Sequence, residues 1–417
     1  PPMSPVSFVA PAFILLLALG SSYAFAKAWG VPGDQGRIPT IDGLRGYLAL
    51  FVFMHHASFW YCYLHTGRWS PPPSNLYNHF GQTSVAMFFM VTAFLFHSKL
   101  LDHPRKPIDW PRLITSRLCR LLPLYFLAVT IMSIVVFALS GWALVQPKGT
   151  LVSELLHWYG FTIAGESGLN GLDARFVRRI MAGVAWTLPY EWLFYASLPL
   201  LARCLRIKIP NRYLLLDALL VLALLFVMSP RPILLWIFVG GIAAAVVARS
   251  LRFRQFSRTG WASLIAIACL VVNVCIDASP FHALNVMLLS IAFALIASGS
   301  DLFGILSTRC SFMLGNITYS LYLLHGLLLF ILFRFILGFD LVRSFSPMAY
   351  WLTIAGVTPV LVGMCYLSFM KIELPALNLA GPIVHRCRAL KARLSGLRLP
   401  VRPRRWQEGQ GAPSDRA

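Results

Sequence analysis

Several groups of polar residues stand inside otherwise apolar stretches of this chain, and each could do proton or phosphate chemistry. The first is Asp42-Gly-Leu-Arg45-Gly followed by His55-His56. Imidazole changes charge near neutral pH, so a histidine held away from bulk water suits general-base work. If these residues share one helix, the step from Arg45 to His56 turns about 20° beyond three full turns and rises about 16 Å. Arg45 and His56 then lie on one face, with a cation at the membrane surface and an imidazole near mid-depth. His55 points about 100° away. A histidine that merely hydrogen-bonds a neighbouring helix is the structural alternative for His56.

The second group is Trp186-Thr-Leu-Pro-Tyr-Glu191-Trp-Leu-Phe-Tyr195. Glu191 falls one turn after Thr187, expected a little in from the outer surface, where a lone carboxylate needs a histidine or tyrosine partner. A protonated, purely structural carboxylate is the alternative. The third is Gly315-Asn-Ile-Thr-Tyr-Ser-Leu-Tyr322-Leu-Leu-His325, in which helical offsets place Thr318, Tyr322 and His325 in one stripe. A helix–helix contact of small and hydroxyl residues would use the same types. Finally, Arg117-Leu-Cys-Arg120 puts two guanidinium groups on neighbouring positions that can fork onto phosphate oxygens. Ordinary basic anchors would look similar, but Arg45 adds a third cation at the same depth. The eight cysteines form no CxxC pair and show no Cys/His metal spacing. Neither a metal site nor a disulfide framework is expected, and most cysteines read as buried small side chains.

The elements that must hold these residues are membrane helices. Of 417 residues, 58% are hydrophobic and 12% charged, with a mean hydropathy of +0.70. A soluble fold could not cover that much apolar surface. Apolar runs of bilayer-crossing length recur throughout, and they are continuous rather than alternating, which argues for helices over a β-barrel. The expected fold is an all-α, polytopic transmembrane helix bundle. Its spans lie near 7–27, 43–64, 81–98, 120–140, 186–203, 213–229, 232–248, 261–277, 281–299, 312–337 and 349–371. This divides the chain into an extra N-terminal helix in 1–30, a ten-span core unit in 31–376 and a basic tail in 377–417.

The formal net charge of +21 would suggest nucleic acid in a soluble protein. Its distribution suggests a membrane instead. With residues 28–42 in the cytoplasm and the spans alternating, 28 basic residues fall on the cytoplasmic side and 8 outside. No nucleic acid is expected as a partner. The segment 141–185 carries four of the outer cations and is expected to fold back onto the membrane. The first span resembles a signal peptide, but it lacks a basic n-region and is followed by Lys27 and Arg37, which favours a retained helix with its N-terminus outside. In the tail, Leu390, Leu394 and Leu397 are helix-spaced among arginines, as in an amphipathic helix on anionic headgroups; a disordered solubilising tail is the alternative.

Taken in order, these pieces resemble the acyltransferase family 3 integral membrane proteins, which O-acylate bacterial cell-surface polysaccharides. The matching segments are Asp42-Gly-Leu-Arg45-Gly with His56, Phe88-Phe-Met-Val-Thr-Ala-Phe94, Arg117-x-x-Arg120-x-x-Pro123-x-Tyr125, Trp186-Thr-Leu-x-x-Glu191-x-x-Phe194-Tyr195, Gly315-Asn-x-x-Tyr319-Ser-x-Tyr322-Leu-x-His325 and Glu373-x-Pro375. The resemblance implies an O-acetyltransferase of the bacterial inner membrane with a cytoplasmic C-terminal tail, acetyl-CoA as acyl donor, a glycan or lipid-linked sugar as acceptor, and no metal. It carries catalytic roles to Arg45 and His56, and the paired arginines to Arg117 and Arg120. With Arg45, these two would hold the CoA phosphates, while Glu191 and His325 would orient or relay. The second segment departs from the family's Ser-Gly-Phe ending: Thr92 keeps the hydroxyl, but Ala93 replaces the closely packing glycine. Intramembrane His and Glu would also suit proton-coupled transport, but no pair of matching broken helices supports it. A non-enzymatic part in a glycan-export complex is the third reading.

Overall fold

The computed structural model describes residues 6–30, 38–103 and 107–394. Arg37, Arg105, Lys106, Leu397, the side chain of Leu394 and the tail cations from Arg398 onward lie outside the described residues. Seventeen α-helices follow in chain order. The first seven are α1 (Val9–Trp29), α2 (Pro39–Thr66), α3 (Asn75–Leu101), α4 (Trp110–Leu139), α5 (Lys148–Tyr159), α6 (Ala174–Ile180) and α7 (Thr187–Cys204). Next come α8 (Asn211–Met228), α9 (Pro232–Val247), α10 (Leu251–Ser257), α11 (Gly260–Ile276) and α12 (Ala283–Ala297). The last are α13 (Arg309–Asn316), α14 (Thr318–Ile331), α15 (Phe339–Arg343), α16 (Pro347–Ser368) and α17 (Leu374–Leu394). No strand occurs among the described residues, only one isolated bridge between Leu169 and Leu172. The molecule is an all-α helix bundle.

By length and apolarity alone, six helices among the described residues can cross a membrane, or seven if α9 and α10, bent by 107°, count as one span. The sequence predicts eleven. Helices α11 and α12 are apolar but shorter than the other spans, and α2 falls short for another reason. It has 28 residues, ample to cross, but 18 of them are buried inside the protein, where polar groups can find partners. In contrast, α8 has no fully buried residue: it rests on α7 along one stripe and presents leucines outward over the rest of its surface, as a lipid-facing helix should.

Long-range contacts pair the loops consistently with the charge-based alternation. On one face, Arg249 meets Asp102 at 2.5 Å and the Ser98 carbonyl at 2.9 Å, and Arg388 meets Asp109 at 2.6 Å. On the other, Arg343 Nε donates to the Leu64 carbonyl at 3.1 Å, and His79 Nε2 to that of Asp277 at 2.7 Å.

The structure revises several sequence expectations. The span near 312–337 is two helices, broken at Ile317. The break lets Gly315 press α13 onto α2: a Cβ there would lie 2.2 Å from the Asp42 carbonyl oxygen. Helices α2 and α4 begin well before 43 and 120, so Arg45, Arg117 and Arg120 sit inside helices rather than at their mouths. Of the eight cysteines, only Cys365 is buried, and all are free. Helix α17 continues from α16 through a π-helical turn at Phe369–Glu373 and crosses position 376 unbroken. Ala93, in place of glycine, does not loosen its helix contact. It is fully buried, and the close approach is made from the other side, because Gly241 of α9 faces it. A Cβ on Gly241 would stand 2.8 Å from Ala93 Cβ and 2.3 Å from the Met90 carbonyl oxygen. The segment after α5 does fold back: Val177, Ile180, Met181, Val184 and Ala185 are buried. It is clamped to α14 at Gly326, where a Cβ would lie 2.4 Å from the Met181 carbonyl carbon.

Candidate active site

Three cavities run in series through the bundle. An inner vestibule of about 350 Å³ is lined by Asp42, Arg45, Lys99, Arg117, Arg120 and Glu373, among others. It joins a waist of about 90 Å³, which shares Arg45, Arg117 and Arg120 and adds Thr92, Thr187, Glu191, Tyr195, Thr318 and Tyr322. Beyond the waist, with Val85 and Tyr322 in the wall of both, lies an outer chamber of about 400 Å³ lined by His56, Phe59, Trp69, Trp186 and Arg178. The α-helical register explains this order. Arg45 and His56 lie on one side of α2, three turns apart, and so fall at the two ends of the series.

The vestibule brings Arg45, Arg117 and Arg120 together. Asp42 of the preceding turn pairs with Arg45 at 3.3 Å. Arg117 lies over the Phe96 ring at 5.3 Å from its centroid, and its buried Nε has no hydrogen-bond partner in the protein. A buried guanidinium with an unused donor is an incomplete site, to which a phosphate or carboxylate oxygen is the natural complement. Glu373 balances the same vestibule and accepts a hydrogen bond from Ser320.

Glu191 is not where the sequence suggested. It lines the waist with the arginines rather than lying just inside the outer surface, because the segment before α7 dips into the bundle and starts that helix deep. Its partner is Tyr195, one turn on, whose hydroxyl donates to Glu191 Oε2 at 3.0 Å. Thr318 and Tyr322 line the waist as their stripe implies. The Tyr322 hydroxyl is tied to Thr187 at 2.9 Å and to the Val184 carbonyl at 3.2 Å, which fixes this ring in the wall that the waist shares with the outer chamber.

The two adjacent histidines separate by role. His55 Nδ1 donates to the Tyr77 carbonyl at 2.6 Å and packs where a Cβ on Gly81 would collide with its ring. It holds α2 to α3. His56 faces the outer chamber, and its Nδ1 lies 2.9 Å from His325 Nε2. His325 is fully buried behind it and lines none of the three cavities. The hydrogen bonds determine the tautomers. His325 Nδ1 faces the Leu321 carbonyl at 2.9 Å, and a carbonyl only accepts, so Nδ1 carries the proton. In the neutral ring Nε2 is then a lone pair, and His56 Nδ1 must donate to it. His56 Nε2 is left as the free basic nitrogen.

Sequence reasoning missed the other walls of the outer chamber, Trp69, Gln82, Arg178 and Arg231. The one available signal was that Arg178 and Arg231 stand on the side where basic residues are scarce. No group of three or more His, Cys, Asp or Glu that could hold a metal occurs among the described residues.

Fold and site together define an integral membrane protein in which Arg45, Arg117, Arg120, Glu191 and His56 face an interior passage rather than lipid. Comparison with protein families makes the class specific: a family model described as an acyltransferase domain matches residues 38–372. The chain belongs to acyltransferase family 3 and is a membrane acyltransferase. No curated protein and no solved structure matches it.

Proposed function

We propose that this enzyme moves an acyl group, acetyl in the simplest case, from acyl-CoA to a hydroxyl of a cell-surface or lipid-linked polysaccharide. It would work in the bacterial inner membrane, with the arginine vestibule and the C-terminal tail on the cytoplasmic side. The observation that carries this reading is the series itself, an arginine-lined vestibule leading through a narrow waist to a chamber where His56 presents a basic imidazole nitrogen. CoA has that shape, with a phosphate-rich head on a long, slender arm that ends in the thioester. Arg45, Arg117 and Arg120 hold the phosphates by charge-assisted hydrogen bonds, and the arm threads the waist past Thr92 and Tyr322. The distance to cover is about 16 Å along α2.

In the outer chamber His56 Nε2 takes the proton of the acceptor hydroxyl as its oxygen attacks the thioester carbonyl carbon. The C–O bond forms, the C–S bond breaks, and the proton passes from His56 to the departing CoA sulfur. His325 holds His56 in the reactive tautomer and stabilises the imidazolium that forms in between, as an orienting residue rather than one that touches substrate. Glu191 offsets the arginine charge in the waist.

The test is CoA release from acetyl-CoA by the full-length protein in lipid nanodiscs, with glycan mass measured in parallel. His56→Ala is expected to lower release by at least about a hundredfold, the usual scale of lost general-base catalysis, at unchanged yield of folded protein. The glycan should also lack the mass of one acetyl group. Near-normal release in that variant ends the proposal, and glycan flux without CoA release would make the protein a transporter instead.

A further inference from the structure

The outer chamber carries features that acyl transfer alone does not require. Its wall holds two guanidinium groups, Arg178 and Arg231, and no carboxylate. Arginines here run against the bias that orients the chain, since 28 of 36 basic residues fall on the opposite side, so topology does not account for them. Arg178, in α6, approaches Glu166 through Nε at 3.4 Å. It lies across Gly183, where a Cβ would come within 2.7 Å of that same nitrogen, so the missing side chain makes room for it. Arg231 stands at the N-cap of α9 and has no ion-pair partner among the described residues.

The rest of the wall suits a sugar. Trp69 and Trp186 line it, and indole is a side chain of the kind that stacks on the C–H faces of a pyranose ring. The Gln82 side-chain oxygen is buried and accepts no hydrogen bond from the protein, so it is available to a ligand hydroxyl. Two cations, an unused acceptor and two indoles around a basic imidazole describe a ring that bears negative charge.

We propose that this chamber selects an acceptor sugar carrying an oxyanion, carboxylate or phosphate, close to the reacting hydroxyl, with Arg178 and Arg231 as specificity residues. The inference rests on the acyl-transfer reading above, because the acceptor must lie against His56. A neutral glycan could reach His56 equally well, but it would leave Arg231 without a counter-charge and Arg178 with only Glu166 beside its Nε.

Intrinsic tryptophan fluorescence of the full-length protein in detergent, titrated with glucuronate, glucose 1-phosphate or glucose, tests this without needing turnover. Both acidic sugars are expected to bind about tenfold or more tightly than glucose, the scale of one charge-assisted hydrogen bond. The gap should narrow with added salt. Arg231→Glu should remove the preference and Arg231→Gln reduce it, which guards against misfolding of the reversed-charge variant. A stronger response to glucuronate identifies an acidic sugar residue, and one to glucose 1-phosphate a phosphate-linked one; either sustains the proposal. Equal binding of glucose, no binding of either acid, or a preference that survives Arg231→Glu overturns it. His56→Ala should keep the preference while losing acyl transfer. A preference in wild-type protein that releases no CoA therefore sinks the reaction and not the binding site.

Discussion

The two ends of the passage handle charge in opposite ways. The inner vestibule and the waist gather Arg45, Arg117 and Arg120 and set carboxyl groups against them, Asp42 and Glu373 in the vestibule and Glu191 in the waist. The outer chamber holds its reactive group by neutral contacts, with His56 bonded to His325 and His325 to a backbone carbonyl. A charged partner for the base would keep its proton in place; a neutral one leaves it free to take and return a proton. On the proposed function, binding strength is concentrated at one end and proton chemistry at the other, with Tyr322 between them. If this division is real, substitutions at the two ends should separate in kinetics, affecting KM at one and kcat at the other.

The largest separation is expected from Arg117→Ala combined with Arg120→Ala. Each loses a charge-assisted hydrogen bond worth about 1.5–3 kcal/mol, so together KM for acyl-CoA should rise about a hundredfold or more, with a smaller effect on kcat. Lysine at either position should restore only part, because an ammonium cannot fork onto phosphate. A fall in kcat at unchanged KM would break the division.

His325→Ala should show the complementary pattern, with kcat lowered about tenfold for one lost orienting hydrogen bond and KM for acyl-CoA unmoved. His325→Gln can still accept from His56 Nδ1 through its amide oxygen, so it should retain more activity than the alanine variant. The pH–rate profile should move in the alanine variant more than in the glutamine one, which a merely structural role would not produce.

How much of this was legible in the sequence differs along the chain. The helices, the helical face shared by Arg45 and His56, and the grouping of Arg117 with Arg120 follow from period and composition, because these are local properties. The partnership of His56 with His325 was not readable, since 269 positions separate them and only packing sets their approach. The depth of Glu191 was misjudged for a related reason. Arg175, Arg178 and Arg179 mark α6 as polar, yet Val177, Ile180 and Met181 on its other side draw the segment into the bundle and carry the start of α7 inward. Ala93 teaches the converse lesson: a departure within one motif was compensated by Gly241, a residue in no motif at all.

The clamp that holds the inward-folded segment gives a stability prediction confined to the outer half. Gly326→Ala places a methyl group against the backbone of Met181 and Ala182. It should cost about 1–3 kcal/mol, as overpacking does, and increase protease cutting between α5 and α7. Gly356→Ala, on α16 with nothing within 4 Å of the added carbon, is the matched control and should be neutral. Equal behaviour of the two variants would mean that the segment is not held at Gly326.

The smallest effect is expected at Glu166, behind Arg178. Burial pushes this carboxyl above its usual range, and Arg178 beside it offsets only part of that push. A carboxyl raised on folding contributes its full stability below its unfolded pKa and loses it as pH rises through the folded value. Glu166→Gln removes the charge and with it this loss. The variant should match the wild type in thermal unfolding at acidic pH and exceed it slightly near neutrality, the gap opening as pH rises. A gap of the opposite sign at neutral pH would mean that the pair with Arg178 outweighs the desolvation. In that case the outer chamber, like the vestibule, would be held together by ions, and the contrast between the two ends would narrow to the histidines alone.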